Sequence, residues 1–132
     1  MSQALAGKRI LLVDDDSDIL LSLQAAFEPT GAIVETAANG NKAVELAEKG
    51  QPDLVILDMM LPGRSGFLVL ERIKARKPRD QKPFVIMITG NTGKRHQTYA
   101  ESLGVSEYYI KPVKMSKLLA TAERLLAAPA AE

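Results

Sequence analysis

The chain has 132 residues, 46% of them hydrophobic and 25% charged, a size and balance that suit one compact domain around one core. With 17 Lys+Arg against 16 Asp+Glu the net charge is +1, so the whole-chain balance gives no electrostatic reason for nucleic acid or a membrane surface as a direct partner. Cysteine is absent, which excludes disulfides, thiolate metal sites and cysteine nucleophiles and suits a reducing cytosol.

The longest apolar runs, such as "ILLV" and "FVIMI", fall far short of the roughly 20 residues that a helix needs to cross a bilayer. The N-terminal "MSQALAGKRI" lacks the apolar h-region of an export signal. A soluble cytoplasmic protein, a single domain over 1–132 with its core at about 8–126, is expected.

In chain order, "RILLV" from Arg9 to Val13 reads as the first strand. Ile19, Leu20, Leu23 and Phe27 then recur at helical spacing, and "EPTG" ends that helix before a second strand at about Ala32 to Ala37. A short helix over Asn41 to Lys49 leads into "PDLVILD", whose unbroken hydrophobicity marks a strand buried on both faces.

Gly66 to Arg76 is expected as the third helix, "KPRDQKP" as a polar loop and Phe84 to Ile88 as the fourth strand. The segment 91–103 is the weakest helix in the pattern, with Tyr99, Ala100 and Leu103 as its apolar anchors; "EYYI" is the fifth strand and "MSKLLATAERLLAA" the fifth helix. Strands alternating with helices predict an α/β fold, a flavodoxin-like doubly wound parallel sheet of order 2-1-3-4-5 with helices on both faces. Its ligand crevice lies at the carboxyl ends of strands 1 and 3.

The residues at those strand ends are reactive. Strand 1 ends in Asp14 and Asp15, strand 3 in Asp58, strand 4 in Thr89 and strand 5 in Lys111. Helix capping accounts for Asp16, Ser17 and Asp18 but leaves Asp14 and Asp15 unexplained. Two carboxylates about 4 Å apart repel by about 4 kcal/mol at an effective dielectric of about 20, so three of them call for a cation. Lys111 offsets one charge, and a hard divalent ion, Mg²⁺ or Mn²⁺, fits the all-oxygen remainder. Asp14, Asp15 and Asp58 are therefore assigned to a metal site, completed by the backbone carbonyl of Met60.

A metal beside an accessible carboxylate, with a lysine and a hydroxyl close by, suits acceptance of a phosphoryl group as an aspartyl phosphate. Lys111 would balance the transferring oxygens and Thr89 would donate to the product.

Together "ILLVDDD", "PDLVILDMMLPGRSG", "MITG" and "YYIKP" resemble the receiver domain of two-component response regulators over roughly Lys8 to Leu126. The resemblance implies Asp58 as phosphoacceptor, Asp14 and Asp15 as metal acids, Thr89 as switch hydroxyl, Lys111 as the salt-bridging lysine, Tyr108 as switch aromatic and a cis Lys111–Pro112 bond. It implies a phosphohistidine of a sensor kinase or phosphotransfer protein as donor and a protein target for the surface of helix 4, strand 5 and helix 5. It also makes the chain a signalling module, not an enzyme that turns over external substrates. Met60 and Asn91 occupy the positions that tune the lifetime of the acyl phosphate in that family, and an apolar Met60 predicts slow hydrolysis.

Three competing readings stand against this one. A flavin-binding flavodoxin-like protein needs a hydroxyl-rich phosphate loop where this chain has "DDDSD". A phosphatase of the haloacid dehalogenase type needs a second Asp where Met60 stands. A receiver-like module that binds partners without phosphorylation conflicts with the intact set of acids, threonine and lysine.

His96 reads as a solvated helix residue, and "RIKARKPRDQK" as the solvated face of helix 3 and its loop. No output domain follows helix 5 in this sequence, so a free-standing receiver and a piece of a larger regulator or hybrid kinase both remain open.

Overall fold

A computed structural model of the chain describes residues 4–75, 77–90 and 93–127. Five parallel strands, β1 (Arg9–Val13), β2 (Ile33–Ala37), β3 (Leu54–Asp58), β4 (Phe84–Thr89) and β5 (Glu107–Ile110), form one sheet in the expected order 2-1-3-4-5. The helices between and after them are α1 (Ser17–Phe27), α2 (Gly40–Gly50), α3 (Gly66–Lys74), α4 (Lys94–Ser102) and α5 (Met115–Leu126), with a 3₁₀ turn at Glu28–Thr30 after α1.

The strand sequences explain the layers. All five residues of β3 are buried, as a central strand covered on both faces requires. One cluster of buried side chains, including Val13, Val44, Leu57, Leu70 and Met87, fills the side covered by α2, α3 and α4. A second, including Leu12, Phe27, Ile56, Ile86 and Leu118, fills the side of α1 and α5. Period-two alternation along each strand sends neighbouring residues to opposite layers. At the edge, Tyr108 joins the first cluster and Tyr109 the second, where the Tyr109 hydroxyl and Thr121 Oγ1 lie 2.8 Å apart.

Local signals set most helix ends. Asp16 caps α1 by accepting from the N–H groups of Asp18 and Ile19, Asn39 caps α2 through Lys42 N–H, and Ser65 caps α3 through Leu68 N–H. The third helix ends earlier than Gly66 to Arg76, because Ala75 turns left-handed (φ 45°) and its N–H closes on the Glu71 carbonyl; Arg76 lies outside the described residues.

Helix α4 has only Ala100 buried and no side-chain cap at Gly93. Tyr99, expected as an apolar anchor, is 48% exposed. It packs edge-on against Phe67 with ring centroids 5.0 Å apart instead of entering the core.

The described charged residues of the basic stretch 72–82 are exposed as expected, with one exception. Lys74 is fully buried, and its ammonium donates to the carbonyls of Pro78 at 2.9 Å, Gln81 at 2.6 Å and Pro83 at 3.1 Å. Three carbonyl acceptors match the three donors of an ammonium, so this lysine pins the loop between α3 and β4. The Lys111–Pro112 peptide is cis, as expected, and so is Lys82–Pro83. None of the helices among the described residues is long and apolar enough to cross a membrane.

Candidate functional site

Strand register brings the reactive residues together. Val13 pairs with Leu57, Asp58 with Ile88 and Thr89 with Ile110. Asp14 therefore follows its strand to stand beside Asp58, while Thr89 and Lys111 each extend one residue past a partner on the next strand. Four residues from four parallel strands thus share one rim of the sheet, and Asp15 joins them from the first turn after β1.

The geometry is that of a compact acid cluster. Carboxylate oxygens of Asp14, Asp15 and Asp58 all lie within 4.8 Å of one another. Asp14 is fully buried, Asp58 is 4% exposed and Thr89 is buried, whereas Asp15 is exposed. Lys111 Nζ stands 3.2 Å from Asp14 Oδ2 and 3.5 Å from Asp58 Oδ2, one ammonium between two carboxylates. A local backbone bond fixes each buried acid as well: Asp16 N–H donates to Asp14 Oδ1 at 2.9 Å, and Met60 N–H to Asp58 Oδ1 at 3.3 Å.

Burial and the neighbouring charge of Asp14 raise the Asp58 pKa, outweighing the lowering effect of Lys111 and of the Met60 N–H. Burial alone would lower the Lys111 pKa, but the charges of Asp58 and Asp14 and their hydrogen bonds raise it overall. Three carboxylates against one ammonium leave negative charge unmatched, all of it on oxygen. That donor set fits a small hard divalent ion, which takes carboxylates, carbonyls and water, and offers nothing to a soft one. Among the described residues this is the one such cluster of acids.

Met60 is 64% exposed at the crevice mouth, and Asn91 lies outside the described residues. Tyr108 is half-buried with its hydroxyl buried and unpartnered, and burial raises its pKa. His96 is half-buried, less solvated than expected: its Nδ1 is buried without a partner, and its ring stacks on Phe67 at 5.8 Å.

Sequence reasoning also passed over Gly66, the first residue of α3. A Cβ there would lie 2.5 Å from the Asp58 carbonyl oxygen and 2.6 Å from Met59 Cα. Only a glycine lets α3 start flush against the backbone that carries Asp58. The motif "RSG" announces the cap, but the contact is tertiary and leaves no local signal.

Comparison with known proteins bears on family and fold. A family model described as the response regulator receiver domain matches residues 10–123. The chain is 32% identical over 131 residues to the alkaline phosphatase synthesis transcriptional regulatory protein PhoP of Bacillus subtilis, covering 96% of this chain and 53% of that protein. It is 38% identical over 114 residues to the Regulator of RpoS of Escherichia coli, covering 86% of this chain and 33% of that protein. The chain thus spans about half or less of the length of these relatives. Among solved structures, a CheY-like receiver domain protein from Methanospirillum hungatei superposes with a TM-score of 0.82 at 31% identity, covering 91% of this chain and 94% of that one.

Proposed function

Because the chain belongs to the response regulator receiver family, we propose that it is the phosphoacceptor of a two-component signalling pathway and that Asp58 takes the phosphoryl group. The observation that carries this reading is the convergence of Asp14, Asp15 and Asp58 oxygens within 4.8 Å with Lys111 bridging the two buried carboxylates.

In the proposed reaction an Asp58 carboxylate oxygen attacks the phosphorus of a phosphohistidine on a sensor kinase or phosphotransfer protein. The O–P bond forms as the P–N bond breaks, and the departing imidazole takes a proton from solvent. A bound Mg²⁺ or Mn²⁺ would neutralise charge on the phosphoryl oxygens, and Asp14, Asp15, Asp58 and the Met60 carbonyl are the groups that would hold it. Lys111 pairs with the phosphoryl oxygens once Asp58 carries the acyl phosphate, and the Thr89 hydroxyl donates to them. The protein acts on its own side chain, in the cytoplasm, without turning over an external substrate.

The output is a change of surface. Phosphorylation adds about −1.5 to −2 of charge. Movement of Thr89 toward it, with rotation of Tyr108, alters the face made by α4, β5 and α5 for a downstream protein. Met60 offers no polar side-chain atom to orient attacking water, so the acyl phosphate is long-lived.

The test is incubation with Mg²⁺ and acetyl phosphate followed by intact-mass spectrometry. One phosphoryl group on the wild type and none on Asp58→Asn is the expected result. Uptake that survives the substitution, or no uptake by the wild type, overturns the reading.

A further inference from the structure

We propose that Gly40, the first residue of α2, is a positioning residue for the metal and phosphoryl site, acting through the loop that joins β3 to α3. The inference rests on the reading above for what the site binds, and adds a residue from a helix that contributes no ligand to it.

The loop, residues 59–65, carries the Met60 carbonyl, follows directly on Asp58 and runs into α3 at Gly66. Its two ends are fixed on the protein side: Met59 N–H donates to the Ile88 carbonyl at 3.2 Å, and Gly66 N–H to the Met59 carbonyl at 2.8 Å. The middle is held from outside by α2. Gly40 N–H donates to the Pro62 carbonyl at 3.1 Å, which gives an orphan N–H of the helix start a partner in the loop.

The contact is also close enough to exclude any side chain. A Cβ on Gly40 would lie 2.0 Å from the Arg64 carbonyl oxygen, 2.6 Å from Arg64 Cβ and 2.7 Å from Arg64 carbonyl carbon. Two of these three atoms are backbone and the third is bonded to it, so no flexible side-chain end can move aside. The next residue continues the contact, since Asn41 Nδ2 sits 3.2 Å from where a Cβ on Gly63 would stand.

A methyl group at position 40 therefore moves the loop rather than a rotamer. With the first residue of the loop bonded to β4 and its far end bonded back to that residue, the displacement falls on residues 60–65, which include the Met60 carbonyl. Its scale is on the order of 1 Å, enough to cost positioned chemistry about a hundredfold. Residues that support metal ligands from behind typically cost roughly 10- to 100-fold in metal affinity when changed.

The experiment compares wild type, Gly40→Ala, Asn41→Ala and Gly50→Ala. Gly50, at the other end of α2, has only the Glu35 carboxylate oxygen near a new Cβ, at 3.1 Å, and serves as the helix control. Mg²⁺ affinity is read by isothermal titration calorimetry without phosphodonor, and the Mg²⁺ dependence of acetyl phosphate labelling gives the half-saturating concentration separately from the saturating rate.

Gly40→Ala is expected to weaken Mg²⁺ binding roughly 10- to 100-fold and to shift half-saturation equally. Asn41→Ala, which removes packing without creating a clash, is expected to shift both in the same direction by less, and Gly50→Ala to leave both unchanged. Unchanged Mg²⁺ affinity in a folded Gly40→Ala overturns the proposal, as does an equal loss in Gly50→Ala. If Gly40→Ala does not fold, Asn41→Ala decides, and wild-type affinity in that variant overturns it. A wild type that binds no Mg²⁺ refutes the functional reading itself, which separates the two failures.

Discussion

Asp58 is held in a setting that disfavours its charge, through burial and through Asp14. Its folded pKa lies above the ordinary 3.8. The stability it contributes is therefore present below that value and is lost as pH rises through the raised folded one. At pH 7 without divalent ions the ionised side chain is a net cost, and Asp58→Asn is expected to raise stability by about 1 to 2 kcal/mol, between the limits for a close pair in water and at an effective dielectric of about 20. Urea denaturation at pH 7 in the presence of a chelator measures this. An unchanged or lower midpoint contradicts it. Met60 supplies a second residue-scale test. Exposed and without a polar group, it is expected to protect the acyl phosphate, so Met60→Asn should shorten the half-life of labelled protein several-fold, read by loss of the phosphorylated mass with time.

At the scale of elements, α3 and α4 contrast. Lys74 closes α3 with an ammonium shared among three carbonyls, and its pKa is lowered to about 8 by burial and by the nearby charge of Lys77, against the opposing pull of Asp80. Its folded value lies below its unfolded 10.5, so between these two values the unfolded chain binds more protons and this group's contribution to stability rises with pH. Lys74→Met leaves those carbonyls without their donor and is expected to cost about 1 to 3 kcal/mol. The gap from wild type should widen between pH 7 and pH 9.5 in parallel denaturation curves.

Helix α4, with one buried residue and no capping side chain, rests on the sheet through Ala100 and on α3 through Phe67. Its amides at Lys94–Ser102 are expected to exchange faster than those of α2, by local opening rather than global unfolding. Hydrogen exchange with mass readout tests this, and protection equal to that of α2 refutes it. Phe67→Ala should speed exchange in α4 further.

For the whole molecule, a ligand that binds only the folded state adds stability by mass action, about 2.7 kcal/mol at a hundred times its dissociation constant. Mg²⁺ at that excess is expected to raise the Tm of the wild type and to leave Asp58→Asn nearly unmoved, as read by thermal melts with and without the ion.

The sheet order was legible because β-branched runs alternate with helical periods, and the site was legible because Asp14, Asp58, Thr89 and Lys111 each sit one step past a strand's last apolar residue, with Asp15 next to Asp14. What could not be read depends on contacts between distant segments. Lys74 looks like one more surface cation in "RIKARK" until the loop folds its carbonyls over it. His96 looks solvated until Phe67 stacks on it. Gly40, between two asparagines, looks like ordinary helix punctuation until Arg64 arrives against it.

The placement of the aromatic residues has a practical outcome. The chain contains no tryptophan and three tyrosines, and all three, Tyr99, Tyr108 and Tyr109, stand on α4 or β5. Tyrosine absorption and emission from the native protein thus come from one edge of the molecule, with one phenol half-exposed, one buried without a partner and one beside a threonine hydroxyl. The chain carries its own optical gauge of that edge, and a rearrangement there can be followed without attaching a dye.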